Sequence, residues 1–461
     1  MSNFENLVYT SIKENNLELT KELLMHSDTK LLNSPEYYFL NSCFYLKKGN
    51  FTNSWLWLWR GLEKHHDNRK LVYLMWKVNY LLNRIDAANY FEKKYKSLSL
   101  GLVTDPILPF EIENLTKATK NNSFSVMQGS MEVANQMATL SKGLIKQGIV
   151  SHTLNYYPYY LNYDSDYEWS LIGQHSTPIL NTKLRKLTQE LLPFYDLFHF
   201  HWGTTLTFDY SDLPMYKKFD KKLIMQHWGS DVRLYSEAKK LNPYALVKNR
   251  NEDQIKWRLQ TLSKHVNDCI VFDMELFHYV KDYYEHITVI PAMVNLENYK
   301  PIENEGRNNK IIIAHAPTSP YIKGTKYILE AIEKLKDQYR FEFIMVQGKS
   351  HREAIKIYQE ADLIIDQLHV GSYGLFAVET MAMGKPVICW ISDYMKEKYP
   401  SDLPIIIANP ETIKDELEKV LKNIDMLAEI GRKGRVFAES HHDMNKNSQK
   451  FFTLYESILN K

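Results

Sequence analysis

The sequence predicts an α/β protein with two tandem doubly wound domains facing a cleft, preceded by an all-α helical repeat domain. Three observations predict it. The chain has 461 residues, and at about 100–200 residues per domain that length fits three domains. An apolar pattern returns every 34 residues near the N-terminus. From residue 120 onward, short apolar runs alternate with helical stretches. The boundaries expected are 1–105 for the repeats, 106–295 and 296–440 for the two Rossmann-like domains, and 441–461 for a closing helix.

Composition removes several function classes. With 57 basic and 55 acidic residues the formal charge is +2, which gives no electrostatic footprint for nucleic acid. A chain that is 44% hydrophobic with so little net charge is not intrinsically disordered. Cys43, Cys269 and Cys389 are odd in number and far apart, so no disulfide framework or cysteine-based zinc site is expected. No apolar run reaches the roughly 18 residues of a membrane span, and MSNFENLVYTSIKENN is no signal peptide. A reduced cytoplasmic chain is expected. Peripheral contact at the inner membrane face is open to Lys183, Arg185 and Lys186, although a short charged helix face is usually just solvated.

The repeat is built from three kinds of position. Asn15, Gly49 and Asn83 can each end a helix in the left-handed conformation. Leu17, Phe51 and Ile85 follow as apolar anchors, and Thr20, Ser54 and Ala88 are small enough for close helix approach. Helical patterns cover 37–47, 51–63, 70–82 and 85–96. The LKKGNFTNSWLWLWRGLE stretch resembles a tetratricopeptide repeat, with Asn41 and Ser42 in place of Leu-Gly and no closing Pro. Such stacked hairpins make a concave surface for a protein partner, a lipid-linked acceptor or a sister subunit; a plain bundle with a coincidental period is the alternative. Trp55, Trp57 and Trp59 are expected in core and groove, and GLVTDPILP (101–109) as a linker.

Strands are expected at FSVMQ after Asn121-Asn122, then over 150–155, 196–202, 222–226, 268–272 and 287–290. A second series reads KIIIAHA, a helix over 325–335, FEFIMV, DLIID, PVICW and PIIIA, after a split at 291–307. This alternation implies parallel strands with crossover helices, whose ligands bind outside the carboxyl ends of the strands.

The block HVGSYGLFAVETMAMGKPVICW (369–390) carries the sharpest chemistry. A loop opens a short helix whose free N–H groups can bind an anion, and Glu379 inside that helix can accept bonds from both ribose hydroxyls. Taken blandly, Gly374 and Gly384 would only make turns and Glu379 would cap a helix. The block resembles the E-x7-E signature of the retaining, family 4-like GT-B glycosyltransferases, matching at Gly374, Leu375, Glu379, Met381, Ala382, Gly384, Pro386 and Val387. The resemblance covers 120–461 and implies a GT-B fold, a UDP- or GDP-sugar donor, and Glu379 as ribose ligand. It departs at Gly371, where the family has the Glu that contacts the donor sugar. Asp366, Gln367 and His369 are the candidates to replace it.

The resemblance extends outward from this block. HAPTSPYIKG (315–324) looks like the family's Lys-Gly loop, so Lys323 is expected to stabilise the leaving diphosphate. The usual loop Arg is absent, with His315 or Thr318 nearby. Gln128-Gly129-Ser130 resembles the family's glycine loop, which implies donor contacts at Gly129 and Ser130. QHWGSD (226–231) resembles the segment holding the active-site His, which implies a catalytic role for His227 and a candidate contact at Asp231. IPAMVNLENYKP (290–301) resembles the interdomain segment, and the helix over 445–459 the one that crosses back.

Two possible metal signals are weighed. His199 and His201 share a strand face but lack a third ligand, so a polar acceptor pocket is preferred to a metal site. Asp164-Ser165-Asp166 is a DxD triplet in a polar, tyrosine-rich segment rather than at a strand end. No metal and no cofactor are expected. Tyrosines cluster over 156–167, where rings could stack on sugar.

The expected function is a glycosyltransferase of the hexosyltransferase type, acting with retention in bacterial polysaccharide or protein glycosylation. The alternative is a catalytically impaired GT-B-like subunit that supports a partner glycosyltransferase. An epimerase or hydrolase on the same fold is the third reading.

Overall fold

A computed structural model of the chain describes residues 3–26, 32–82, 84–99, 105–111, 124–158, 161, 163–302 and 310–460. Asn83, Asn121-Asn122, and parts of the expected linker and interdomain split lie outside the described residues. The chain forms two compact units, Met1–Ser123 and Phe124–Lys461.

The first unit is helical: α1 (Asn3–Lys13), α2 (Leu17–Met25), α3 (Pro35–Lys47), α4 (Phe51–Lys64), α5 (Arg69–Leu81) and α6 (Ile85–Leu98). Asn15 and Gly49 take positive φ (61° and 73°) and turn the chain out of α1 and α3. Leu17, Phe51 and Ile85 open the helices that follow. The small residues are where helices close on each other: Ser11 Oγ meets Thr20 Oγ1 at 2.9 Å, and Ser42 Oγ meets Ser54 Oγ at 2.6 Å. Trp55 and Trp59 are buried in this packing. The stretch expected as a linker bonds back to the helices, through Tyr95 Oη to Asp105 Oδ1 (2.6 Å) and Tyr9 Oη to the Leu108 carbonyl (2.7 Å).

The second unit opens with β1 (Ser125–Ser130), α7 (Gln136–Lys146), β2 (Val150–Asn155), β3 (Tyr167–Glu168), α8 (Pro178–Leu191), β4 (Leu197–His201), α9 (Leu213–Lys218) and β5 (Lys222–Gln226). It continues with α10 (Tyr235–Leu241), α11 (Glu252–Ser263), β6 (Asp268–Val271), α12 (Met274–Val280) and β7 (His286–Val289). The later part holds β8 (Ile311–His315), α13 (Pro320–Lys323), α14 (Thr325–Leu335), β9 (Phe341–Met345), α15 (His351–Glu360), β10 (Leu363–Ile365) and α16 (Leu375–Ala382). After these come β11 (Val387–Cys389), α17 (Asp393–Lys396), β12 (Ile405–Ile407), α18 (Ile413–Lys422), α19 (Met426–His441) and α20 (Met444–Leu459).

Among the described residues these strands form two parallel sheets, ordered β3-β2-β1-β4-β5-β6-β7 and β12-β11-β10-β8-β9. The apolar runs became central strands because both faces are covered by helices. Ile313, Ile364, Ile365, Val387 and Ile388 are all fully buried. α20 returns to the first sheet, where Met444, Phe451, Tyr455 and Ile458 share one core with Val126, Leu197, Ile224 and Ile270. Gly143 of α7 permits that approach, since a Cβ there would stand 2.5 Å from Ser448 Cβ. Among the described residues no helix is long and apolar enough to cross a membrane.

Candidate active site

Strand order reverses between β1 and β4 in one sheet and between β8 and β10 in the other. Open parallel sheets bind ligands at such switch points. A cavity of about 380 Å³ lies at the carboxyl ends of both, lined by Val133, Trp202, Trp228 and Arg233 on one side and by Lys323, Gln367, Gly374 and Glu379 on the other. That volume is within the usual range for small-molecule sites, about 300–1,000 Å³.

Lys323 ends α13, and Gly324 reverses the chain with φ +76° into α14. A Cβ at 324 would sit 2.9 Å from Leu368 Cβ, so glycine is required on steric and conformational grounds. The Lys323 ammonium is thereby held against Asp366, with a direct Nζ–Oδ1 bond across the switch point. His315, the alternative candidate in this loop, does not line the cavity. Its Nδ1 donates to the Ile365 carbonyl and its Nε2 accepts from Thr325 Oγ1, both at 2.8 Å. Burial, chiefly, and the Lys323 charge push its pKa down to about 4, against the Ile365 bond. His315 is a neutral tie between β8, β10 and α14.

Glu379 lies in the second turn of α16 and lines the cavity. Its Oε1 accepts from Tyr299 Oη (2.8 Å) and from His351 Nε2 (2.9 Å). His351 is placed by a capping box in which Ser350 and Glu353 satisfy each other's backbone N–H groups. Burial alone would lower the His351 pKa, but the hydrogen bond and charge of Glu379 more than reverse this and raise it. No side chain caps the start of α16, and Gly374, Leu375 and Phe376 face the cavity with the helix's first N–H groups.

Where the resemblance would place a Glu, the space at Gly371 is filled from the other sheet's domain. Gly371 has φ +83°, and a Cβ there would lie 2.6 Å from Asn242 Nδ2. The Asn242 amide donates to the His369 carbonyl (2.7 Å) and accepts from Trp390 Nε1 (3.0 Å). His369 Nδ1 donates to the Tyr244 carbonyl at 2.8 Å, so His369 clamps the two halves together and is not among the cavity residues. Of the three candidates to replace the first Glu, Gln367 lines the cavity directly, while Asp366 reaches it through Lys323.

On the first sheet several expectations are corrected. Gly129 and Ser130 are not a loop but the last residues of β1; Ser130 is buried and donates to the Thr205 carbonyl at 2.8 Å. The loop that follows points Glu132 at the start of α7, where its oxygens accept from Met137 and Ala138 N–H at 3.0 Å. The anion position of that helix is thus taken by the protein's own carboxylate. Burial pushes its pKa up to about 7 against those backbone bonds.

His227 is fully buried, donating to Asp231 Oδ2 and accepting from Tyr284 Oη, both at 2.7 Å. Asp231 is equally buried, and its Oδ1 accepts from the Trp228 and Gly229 N–H groups. Neither reaches the cavity; they shape the turn that presents Trp228, Ser230 and Arg233 to it. His199 and His201 face α20 and Trp228 rather than a ligand. Tyr455 bonds His199 Nδ1 (2.7 Å), and Trp228 Nε1 donates to His201 Nδ1 (3.2 Å), leaving the His201 proton on Nε2. That tautomer has no lone pair at Nε2 for a metal. Asp164 pairs with Lys142, and Asp166 accepts from Thr153, so the DxD triplet does not converge. Among the described residues no three His, Cys, Asp or Glu side chains group as a metal would need. Of the clustered tyrosines that are described, Tyr163 lines the cavity, edge-on to His351 at 5.2 Å, whereas Tyr156 and Tyr167 are buried.

Two cations were not found from sequence. The Arg233 side chain runs under the turn at Gly229, where a Cβ would lie 2.3 Å from Nη1. Its guanidinium forks onto Glu275 through Nε and Nη2 at 2.7–3.0 Å. Lys248 also lines the cavity. A basic residue shortly after a strand end was the available signal for Arg233; Lys248 lies far from any strand end and carried none.

No family model matches the sequence, and no curated protein matches it. Among solved structures, sucrose-phosphate synthase from Thermosynechococcus elongatus is similar with a TM-score of 0.54 at 13% identity, over 73% of this chain and 99% of that one. HepE from Anabaena, in complex with UDP-glucose, is similar with a TM-score of 0.51 at 12% identity, over 72% of this chain and all of that one. These likenesses show the fold: the α/β unit has the GT-B arrangement of two Rossmann-like sheets around a cleft.

Proposed function

We propose that the chain binds a nucleotide sugar in this cavity and transfers the sugar to an acceptor hydroxyl. One observation carries the reading. Lys323 at the switch point, the uncapped start of α16 and Glu379 all border a single cavity. The helix N–H groups and the lysine are suited to a diphosphate, and the second oxygen of Glu379 to a ribose hydroxyl. The GT-B likeness, which includes a protein in complex with UDP-glucose, supports a UDP- or GDP-sugar donor.

In this reading the anomeric carbon–oxygen bond to diphosphate breaks as the acceptor oxygen bonds to the same carbon, and the acceptor proton passes to the departing diphosphate oxygen. Lys323 and the α16 dipole stabilise the charge that develops on the leaving group. Retention follows the family resemblance; given retention, a front-face reaction fits better than a covalent intermediate, because Asp273, a carboxylate on the opposite wall, accepts from the Leu276 N–H and Tyr399 Oη. His227 is a positioning residue. Polysaccharide or protein glycosylation, and recruitment of an acceptor by tetratricopeptide-like repeats, complete the proposal.

A second reading, a donor-binding subunit without turnover, is favoured by Asn242 standing where the family's sugar-binding Glu would project. Binding and nucleoside diphosphate release across UDP-, GDP- and ADP-sugars separate the readings. Release by the wild type supports transfer, binding without release supports the subunit, and no binding at all overturns both.

A further inference from the structure

The cavity's cations are nearly all neutralised by the protein itself. Lys323 is bonded to Asp366, Arg233 to Glu275 and His351 to Glu379. A nucleoside diphosphate is a multiply charged anion, and binding it there calls for positive charge that no carboxylate already offsets. Resting on the nucleotide-sugar reading, we propose that Lys248, on the chain of the first sheet's domain, is the cation that holds the donor's diphosphate from across the cleft.

Three observations support the assignment. Lys248 lines the cavity and, among the described residues, makes no ion pair or hydrogen bond. Its backbone is fixed relative to the donor side, because the preceding segment is clamped there. Asn242 bonds the His369 carbonyl and Trp390, Tyr244 accepts from His369, and Ala245 and Val247 are buried between Tyr244 and Lys248. Finally, burial and then the charges of Lys323 and Arg233 pull the Lys248 pKa below its ordinary value. Lys248 thus feels the charges of Lys323 and Arg233 without a carboxylate of its own, and a diphosphate would offset that. The loop over 316–319 carries no arginine. A lysine from the opposite wall supplies the second cation, as a point charge rather than a fork.

The test is calorimetric binding of UDP, GDP and the nucleosides uridine and guanosine to the full chain, wild type against Lys248→Met, Lys248→Gln and Lys248→Arg. Loss of one charge-assisted contact should weaken the preferred diphosphate about ten- to a hundredfold in the Met and Gln variants. Nucleoside binding should be unchanged, which also shows the site intact, and Lys248→Arg should recover most of the loss. Wild-type diphosphate binding that both neutral variants retain in full overturns this inference alone. A wild-type chain that binds neither diphosphate overturns the parent reading and this inference with it.

Discussion

Asn242 Nδ2 lies 2.6 Å from where a Cβ on Gly371 would stand. The amide of Asn242 fills the space beside Gly371, held between the His369 carbonyl and Trp390 Nε1. A side chain at position 371 has no room while Asn242 stands there. Gly371→Glu and Gly371→Ala should each lower stability by about 1–3 kcal/mol, from overpacking and a strained positive φ. Thermal melts check this; a Gly371→Glu chain as stable as the wild type and faster in sugar release would contradict it.

Glu379→Ala should remove a ribose contact and nothing of the base or phosphate. Nucleoside diphosphate binding should weaken about ten- to a hundredfold, the range of a hydrogen bond to a charged group. Binding of the 2′,3′-dideoxy analogue should be the same in wild type and variant. Equal losses for both ligands would show that Glu379 only supports the fold through Tyr299 and His351.

The His351–Glu379 pair should make stability pH-dependent. The folded His351 pKa is raised above the ordinary 6.5, so the folded state binds the extra proton. The contribution is complete below the ordinary value and is lost as pH rises through the raised one. The Tm difference between wild type and His351→Gln should be largest near about pH 5.5 and shrink by about pH 9. A difference that grows with pH would contradict the charged pair.

Gly431 of α19 packs against the turn that carries Gly384, where an added Cβ would meet the Gly384 carbonyl oxygen at 2.1 Å. Gly431→Ala should cost about 1–3 kcal/mol and broaden the unfolding of the domain built on the second sheet. Unfolding in urea measures it, and an unchanged midpoint would show that α19 can shift.

Sequence carried the strands well, because apolar runs such as KIIIAHA and PVICW lie inside a parallel sheet with helices on both faces. It missed β3, a two-residue strand within a polar, tyrosine-rich segment. The wall carrying Lys323 and Glu379 was legible because glycines and Glu379 fall at fixed places around one strand–helix junction. The opposite wall was not. At the end of β5, adjacent residues point to different sides, so nothing local told that Trp228 and Ser230 reach the cavity while His227 turns inward. Lys248 follows no strand and no period; long-range contacts bring its segment there, among them Asn242 to the His369 carbonyl, spanning 127 positions, and His369 to the Tyr244 carbonyl.

If a nucleotide sugar is broken at this cavity, Lys323 stabilises the departing diphosphate. Nucleoside diphosphate release from UDP- and GDP-sugars, by wild type and by Lys323→Met, measures it most directly. The wild type should release diphosphate from at least one donor, and the variant should be slower by about 10²–10³, as when one transition-state donor is removed. Release at the same rate by both, or by neither with any donor, would contradict the claim.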